Sequence, residues 1–258
     1  MDDLADKARA EVADLLDLQL SPLGLLAIEA LSLRMGEAVL DVGCGAGQTV
    51  LQLADRVGVG GRVTGVDIAP AVLEVARSRA AGYSQVDFVQ CDAQSLGLAE
   101  SSLDCVFSRF GVMAFADPVA AFSNFRRLMK SSGRLAFVCW RSLNENELDL
   151  LPLQAAGLEG GFDPTPFSLA DSGTIRSTLT NAGYRQISIR PHDALVSSGD
   201  LDAMMTVLLR VGPLGKILRE NPDMRAQVEP RLRAALAERE SPAAVALNAA
   251  VWIVTARP

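Results

Sequence analysis

An α/β fold built on a doubly wound, mostly parallel sheet is what this 258-residue sequence predicts. Three observations carry that expectation. From about residue 36 to residue 141, short apolar runs alternate with stretches of helical period. The first of these runs passes into a glycine-rich turn that opens a helix, and the first three runs each end on or beside an aspartate. Strands joined by helices of this length need right-handed crossovers, which make neighbouring strands parallel and cover both sheet faces.

The elements follow in order. Leu4, Ala8, Val12, Leu15 and Leu16 recur at helical spacing and predict a short amphipathic helix. Ser21-Pro22 reads as the start of a second helix, with serine as cap and proline in the first turn, running to about Arg34 before Gly36. Strands are then expected at Ala38–Val42, Arg62–Val66, Gln85–Gln90, Leu103–Phe107 and Leu135–Trp140. Helices are expected at Gln48–Val57, Ala71–Ala80 and Pro118–Lys130. Residues 143–170, with Pro152, Pro164, Pro166 and Gly160-Gly161, read as a loop holding at most a short helix. A helix near Thr174–Asn181, a strand at Gln186–Arg190 and a final strand at Ala250–Ala256 complete the pattern. Between those two strands, Leu201, Met204, Met205, Leu208 and Leu209, then Val228, Leu232 and Leu236, mark a helical insertion over 191–248. No repeat or low-complexity linker divides the chain, so 1–258 is expected to be one domain: N-terminal helices (1–35), a ligand-binding core (36–141) and the insertion.

Composition narrows the function. Hydrophobic residues make up 49% and the net charge is −7, which disfavours a nucleic-acid partner, since neutralising phosphates needs an excess of Lys and Arg. A small-molecule partner is expected, with the protein a monomer or homodimer. No apolar run reaches the roughly 18 residues of a membrane span, and Met1-Asp2-Asp3-Leu4 lacks the basic start of a secretory signal. Cys44, Cys91, Cys105 and Cys139 match no zinc or redox spacing, so reduced thiols, no metal and a cytoplasmic location are expected.

The chemistry concentrates in Val39-Leu40-Asp41-Val42-Gly43-Cys44-Gly45-Ala46-Gly47. Glycines here turn the chain tightly and let backbone approach a ligand. The third glycine comes one position earlier than in a dinucleotide fingerprint. Asp41 places a negative charge before the turn, which suits a cationic ammonium better than a pyrophosphate. Asp67 ends the next strand, 26 positions on, where a carboxylate can accept from both hydroxyls of a ribose. Asp92 follows the third strand and can accept from an exocyclic amine. A lone aspartate at such a place is ordinarily a solvated turn residue. Three of them at successive strand ends, together with the glycine turn, describe a nucleoside site.

These residues resemble the first motifs of the class I methyltransferases, especially the small-molecule branch that includes ubiquinone and menaquinone biosynthesis methyltransferases. Asp41 to Gly47 is similar to the family's first motif, Gly65-Val-Asp67-Ile-Ala-Pro70 to its ribose-binding strand end, and Cys91-Asp92-Ala93 to its adenine segment. Leu103 to Gly111 resembles the fourth strand, whose end faces the methionine part of the cofactor. Leu128 to Leu135 resembles the turn into the fifth strand, although Ser131-Ser132-Gly133 replaces the usual Pro-Gly. The resemblance spans about residues 36–141, with the last strand as the family's antiparallel addition. It implies a seven-stranded sheet ordered 3-2-1-4-5-7-6 and S-adenosylmethionine at the ends of strands 1, 2 and 4. Asp41, Gly43, Cys44, Gly45, Gly47, Asp67, Ile68, Asp92, Ala93, Ser108 and Arg109 are the implied cofactor-binding residues.

Methyl transfer from a sulfonium has a good leaving group, so alignment and exclusion of water suffice for much of the rate, and no catalytic residue stands out. A protein that binds the cofactor without transfer is the alternative. On the acceptor side the candidates are Arg109 and Phe110 after the fourth strand and Trp140 and Arg141 after the fifth. Core packing and surface ion pairs are the plain alternatives for these four. Two arginines at the mouth would suit an acceptor carboxylate or phosphate, and Met204-Met205 could line an apolar pocket or simply form core. His192, the only histidine, is expected in a turn after the sixth strand, too far along the sheet for general-base work.

Overall fold

The computed structural model describes residues 3–158, 160, 162–242 and 244–258. The expectations for Met1-Asp2 and Gly161 therefore lie outside the described residues. Two helices, α1 (Asp3–Glu11) and α2 (Ala13–Leu31), lead into alternating strands and helices: β1 (Ala38–Val42), α3 (Gln48–Val57), β2 (Arg62–Asp67), α4 (Pro70–Arg79), β3 (Val86–Gln90), β4 (Leu103–Arg109), α5 (Pro118–Leu128) and β5 (Met129–Trp140). The second part holds α6 (Glu147–Ala155), α7 (Ser172–Asn181), β6 (Arg185–Val196), α8 (Leu201–Leu208), α9 (Gly212–Glu220), α10 (Arg225–Ala237) and β7 (Leu247–Arg257).

The seven strands form one sheet in the order 3-2-1-4-5-7-6, with β7 antiparallel to both neighbours and the rest parallel. Central strands are apolar throughout because helices cover both faces. Cys105, Val106 and Phe107 of β4 and Leu135 to Cys139 of β5 are all buried. Helix α2 lies on β4, β5 and β7, α3 on β1 and β2, α5 on β5, and α7 on β6. The amphipathic spacing of Val50, Leu53, Ala54 and Val57 puts each of these α3 residues in the core. Asp117, Asp171 and Asp200 cap α5, α7 and α8 by accepting from backbone N–H groups in the first turn.

Four expectations change. The first helix boundary falls at Val12, and Pro22 lies inside α2. The Ser21 hydroxyl accepts from Gln52 Nε2 at 3.0 Å instead of capping a helix. Burial of Leu23, Ala27, Ile28 and Leu31 against the sheet outweighs the break that proline favours. Around 130–133 the expected turn is a bulge within β5: Leu103 pairs with Met129 and Cys105 with Arg134, so four residues oppose Asp104 alone. Strand β6 continues through Pro191 to Val196, with His192 opposite Val251, because β7 starts early enough to pair with it. Proline is tolerated there because β6 is the sheet edge. The insertion's helices consequently occupy 201–237 rather than starting near 191. Among the described residues no helix is long and apolar enough to cross a membrane.

Candidate functional site

Strand order reverses between β1 and β4, so the connections leaving them diverge and open a crevice at the carboxyl edge of the sheet. The loops after these strands meet backbone to backbone. A Cβ on Gly43 would lie 2.5 Å from Gly111 Cα, and Gly43 has φ +69°, so only glycine fits. A cleft of about 350 Å³ runs along this edge, with Gly43, Cys44, Gly45, Asp67, Ile68 and Asp92 on its wall. Ala93, Arg109 and Phe110 line it too. Nine residues singled out by the sequence are thus brought together from the ends of four strands.

The carboxylates are held by backbone. Asp67 Oδ2 accepts from the Gly45 N–H at 2.9 Å and Oδ1 from the Ala69 N–H at 3.0 Å. Each oxygen keeps a lone pair for a ligand hydroxyl. Asp92 accepts from the Gln94 N–H and from Gln94 Nε2, both at 2.9 Å. Beside them Ile68 is 47% exposed, a flat apolar surface unusual for its residue type.

Three implied residues stand behind this wall. Gly47, at φ +85°, caps α3 and presses on Ala76 of α4. The Ser108 hydroxyl donates to the Val42 carbonyl at 2.7 Å and accepts from the Gly111 N–H at 3.0 Å, tying the two loops together. Asp41 is fully buried. Its Oδ2 accepts from Thr49 Oγ1 at 2.5 Å, Thr49 itself lining the cleft, while Oδ1 has no partner. Burial pushes the Asp41 carboxyl up to about 7, against the opposing pull of Thr49 and Arg109. An orphaned buried carboxylate oxygen beneath a cleft suits a ligand that brings positive charge.

Arg109 lines the cleft but its charge is committed. It donates to Asp17 Oδ1 at 2.8 Å and to Gln48 Oε1 at 2.6 Å. Arg79 donates to the other oxygen of Asp17 at 2.8 Å and to the Ala46 carbonyl at 2.9 Å, and pairs with Asp14. Asp17 therefore clamps α2 across the glycine turn. Sequence reasoning missed it, although an acid between Leu16 and Leu18 in an apolar helix was a usable signal. Arg141 lines neither cavity: it pairs with Asp193 at 3.0 Å and with Glu145, 5.4 Å over the Trp252 ring. The expected pair of arginines awaiting an anionic acceptor is not formed, because each already has carboxylate partners.

A second cavity of about 300 Å³ adjoins the first, sharing Arg9, Leu16, Leu20, Phe110 and Ala114 with it. Phe110 has φ +60°, a conformation uncommon for an aromatic residue. Its ring stacks on Trp140 at 4.0 Å between centroids and 17° between planes, forming a flat wall. Val207 and Leu208 of α8 and Pro213 of α9 oppose it. Met204 and Met205, one turn earlier, are core; Met204 Sδ receives Gln19 Nε2 at 3.6 Å. His192 lines neither cavity. Asp149 does line the second one, and the sequence reading passed over it.

Residues 33–156 match a family model described as a methyltransferase domain. An aklanonic acid methyltransferase from Streptomyces sp. strain C5 is 34% identical over 119 residues, covering 45% of this chain and 54% of that protein. A ubiquinone/menaquinone biosynthesis C-methyltransferase from Cellvibrio japonicus is 36% identical over 111 residues, 42% of this chain and 45% of that one. The chain thus spans about half the length of the curated relatives it matches. Among solved structures, phosphoethanolamine N-methyltransferase 2 from Haemonchus contortus, in complex with S-adenosyl-L-methionine, superposes with a TM-score of 0.58 at 17% identity, covering 92% of this chain and 52% of that one. That degree of likeness speaks for the fold. The family match over residues 33–156 and the strand order 3-2-1-4-5-7-6, which is completed by β6 and β7 beyond the matched segment, together give the chain a methyltransferase domain on the class I fold.

Proposed function

We propose that the protein transfers a methyl group from S-adenosylmethionine to a small, largely apolar acceptor. One observation carries this: a cleft walled by strand-end aspartates and a glycine turn shares Phe110, Ala114, Leu16 and Leu20 with a separate apolar cavity. A donor site and an acceptor site side by side is what a transferase needs. The residues suit the donor. Asp67 offers acceptor lone pairs to ribose hydroxyls, Ile68 and Ala93 offer apolar surface to a base, and Asp92 offers a carboxylate to an amine. Gly43 and Gly45 let backbone approach, and the unpartnered Asp41 oxygen favours a cation above it.

When bound, S-adenosylmethionine supplies an electrophilic methyl group on a sulfonium. The chain's part is to align the acceptor along the sulfur–methyl axis and to exclude water. The Phe110–Trp140 wall fixes the plane of a flat acceptor, while α1 and α2 line both cavities and the insertion closes the second alone. Relatives named for aklanonic acid and for ubiquinone/menaquinone biosynthesis are in keeping with a small-molecule acceptor. Calorimetry with S-adenosylhomocysteine tests the donor half: micromolar binding is expected, with none for NAD. Absence of S-adenosylhomocysteine binding by the folded protein would refute the proposal.

A further inference from the structure

We propose that Asp149 accepts the proton released by the methylated group, and that the acceptor is a flat, apolar molecule bearing an acidic hydroxyl, a phenol or enol. The inference rests on the transferase reading above and goes on to name the base and the acceptor class. The second cavity is mostly apolar, with Phe110, Trp140, Leu148, Val207, Leu208 and Pro213 on its wall. Such a surface selects a hydrophobic ring system and gives no reason to place an ionisable group there, unless that group has work to do. Asp149 is nevertheless on that wall, in the first turn of α6. Among the described residues no hydrogen bond or ion pair reaches its carboxylate, and burial is the sole influence on it. Gly212, where a Cβ would lie 2.9 Å from Asp149 Oδ1, leaves that oxygen uncovered by any side chain of its own.

The charged groups around it are engaged elsewhere. Arg9, the other charged residue on this wall, bonds to Asp6 at 2.5 Å. On α9, Lys216 pairs with Asp163 and Glu220, and Arg219 donates to the Arg210 carbonyl. On α10, Arg225 pairs with Glu229 and Arg233 with Asp202, while Arg231 sits by Gly157, beyond the opposite end of α6 from Asp149. Glu145, ahead of α6, is held by Arg141, and Glu147 by Arg239. Burial alone acts on Asp149, and it lifts the carboxyl to about 7. A carboxylate with that affinity for protons is half-ionised near neutrality, the condition under which a general base works best.

The step balances simply. The acceptor's O–H bond breaks, its proton passes to a carboxylate oxygen of Asp149, and the electron pair stays on the acceptor oxygen as the nucleophile. Asp149 then loses the proton to solvent.

The test compares 1-naphthol with naphthalene as probes, by calorimetry between pH 6 and 8, on the wild type and on Asp149→Asn. Asparagine keeps the shape and removes only the charge, so folding is not at risk. S-adenosylhomocysteine binding is measured on the same samples. As Asp149 ionises, it accepts a stronger hydrogen bond from the naphthol hydroxyl, while naphthalene must strip it of water. The preference for naphthol over naphthalene is therefore expected to grow at least about fivefold from pH 6 to pH 8. In Asp149→Asn the preference is expected to be flat, with S-adenosylhomocysteine affinity unchanged. A wild-type preference that does not change with pH, or a change that persists in Asp149→Asn, would overturn the role of Asp149 and leave the transferase reading standing. Binding of S-adenosylhomocysteine with neither probe would overturn the acceptor class. Failure of S-adenosylhomocysteine to bind would bring down the transferase reading itself.

Discussion

Replacing Asp41 with asparagine should stabilise the ligand-free protein at neutral and alkaline pH while weakening its hold on the cofactor. Burial raises this carboxyl from its ordinary 3.8 to about 7. The folded state therefore prefers the neutral form by roughly 4 kcal/mol, at about 1.4 kcal/mol for each tenfold change in proton affinity. The sign follows from linkage: between pH 3.8 and 7 the folded protein binds more protons than the unfolded chain, so stability falls as pH rises through that window. Below it the group costs nothing through ionisation. From pH 5 to pH 8 the wild type should lose about 3 kcal/mol through this group alone. Asparagine does not titrate and can still accept from Thr49. Its advantage over the wild type should accordingly grow by about 3 kcal/mol from pH 5 to pH 8, read from urea melts at each pH. Asp149 titrates in the same window, but it is present in both proteins and cancels from the difference. Calorimetry at pH 7.5 should show the reverse ranking for S-adenosylhomocysteine, with affinity lower in Asp41→Asn because the cationic ammonium loses its buried counter-charge. A stability difference independent of pH would refute the argument from burial, and an unchanged affinity would refute the argument from charge.

Four further outcomes are expected. Asp67→Ala should weaken S-adenosylhomocysteine binding by about 1.5–3 kcal/mol in calorimetry, since it removes charged acceptors from the cleft and strands the Gly45 and Ala69 N–H groups. Gly43→Ala should cost at least about 2 kcal/mol of stability in thermal melts, from the collision with Gly111 and the positive φ together; a neutral effect would mean the two loops are not packed as described. Asp17→Asn should destabilise the protein by about 3 kcal/mol, because it leaves Arg79 and Arg109 without their shared carboxylate. His192→Ala should lower turnover less than about tenfold, well short of the loss typical for a general base, since His192 lies on the edge strand away from both cavities.

The order of elements and the donor cleft were legible in the chain because both are local. Short apolar runs and period-3.6 patterns mark β1, α3 and β2 within a residue or so, and the glycines and aspartates of the cleft sit at strand ends that the pattern itself locates. Parallel topology then brings those ends to one edge whatever the surrounding detail. What only tertiary structure decided are matters of partnership. Nothing in the sequence tells Arg109 that Asp17 takes its charge, or Arg141 that Asp193 and Glu145 do. Local signals at Ser21-Pro22 and Pro191 both point to breaks, yet the sheet overrides them: α2 gains more by burying an unbroken face, and β6 by pairing along the whole of β7. Asp149 is the same lesson for chemistry. In sequence it is one of several acids in a stretch that reads as loop with at most a short helix; its proton affinity arises only when α6, α8 and α9 close an apolar cavity around it, because desolvation is a property of the folded surroundings and not of the residue.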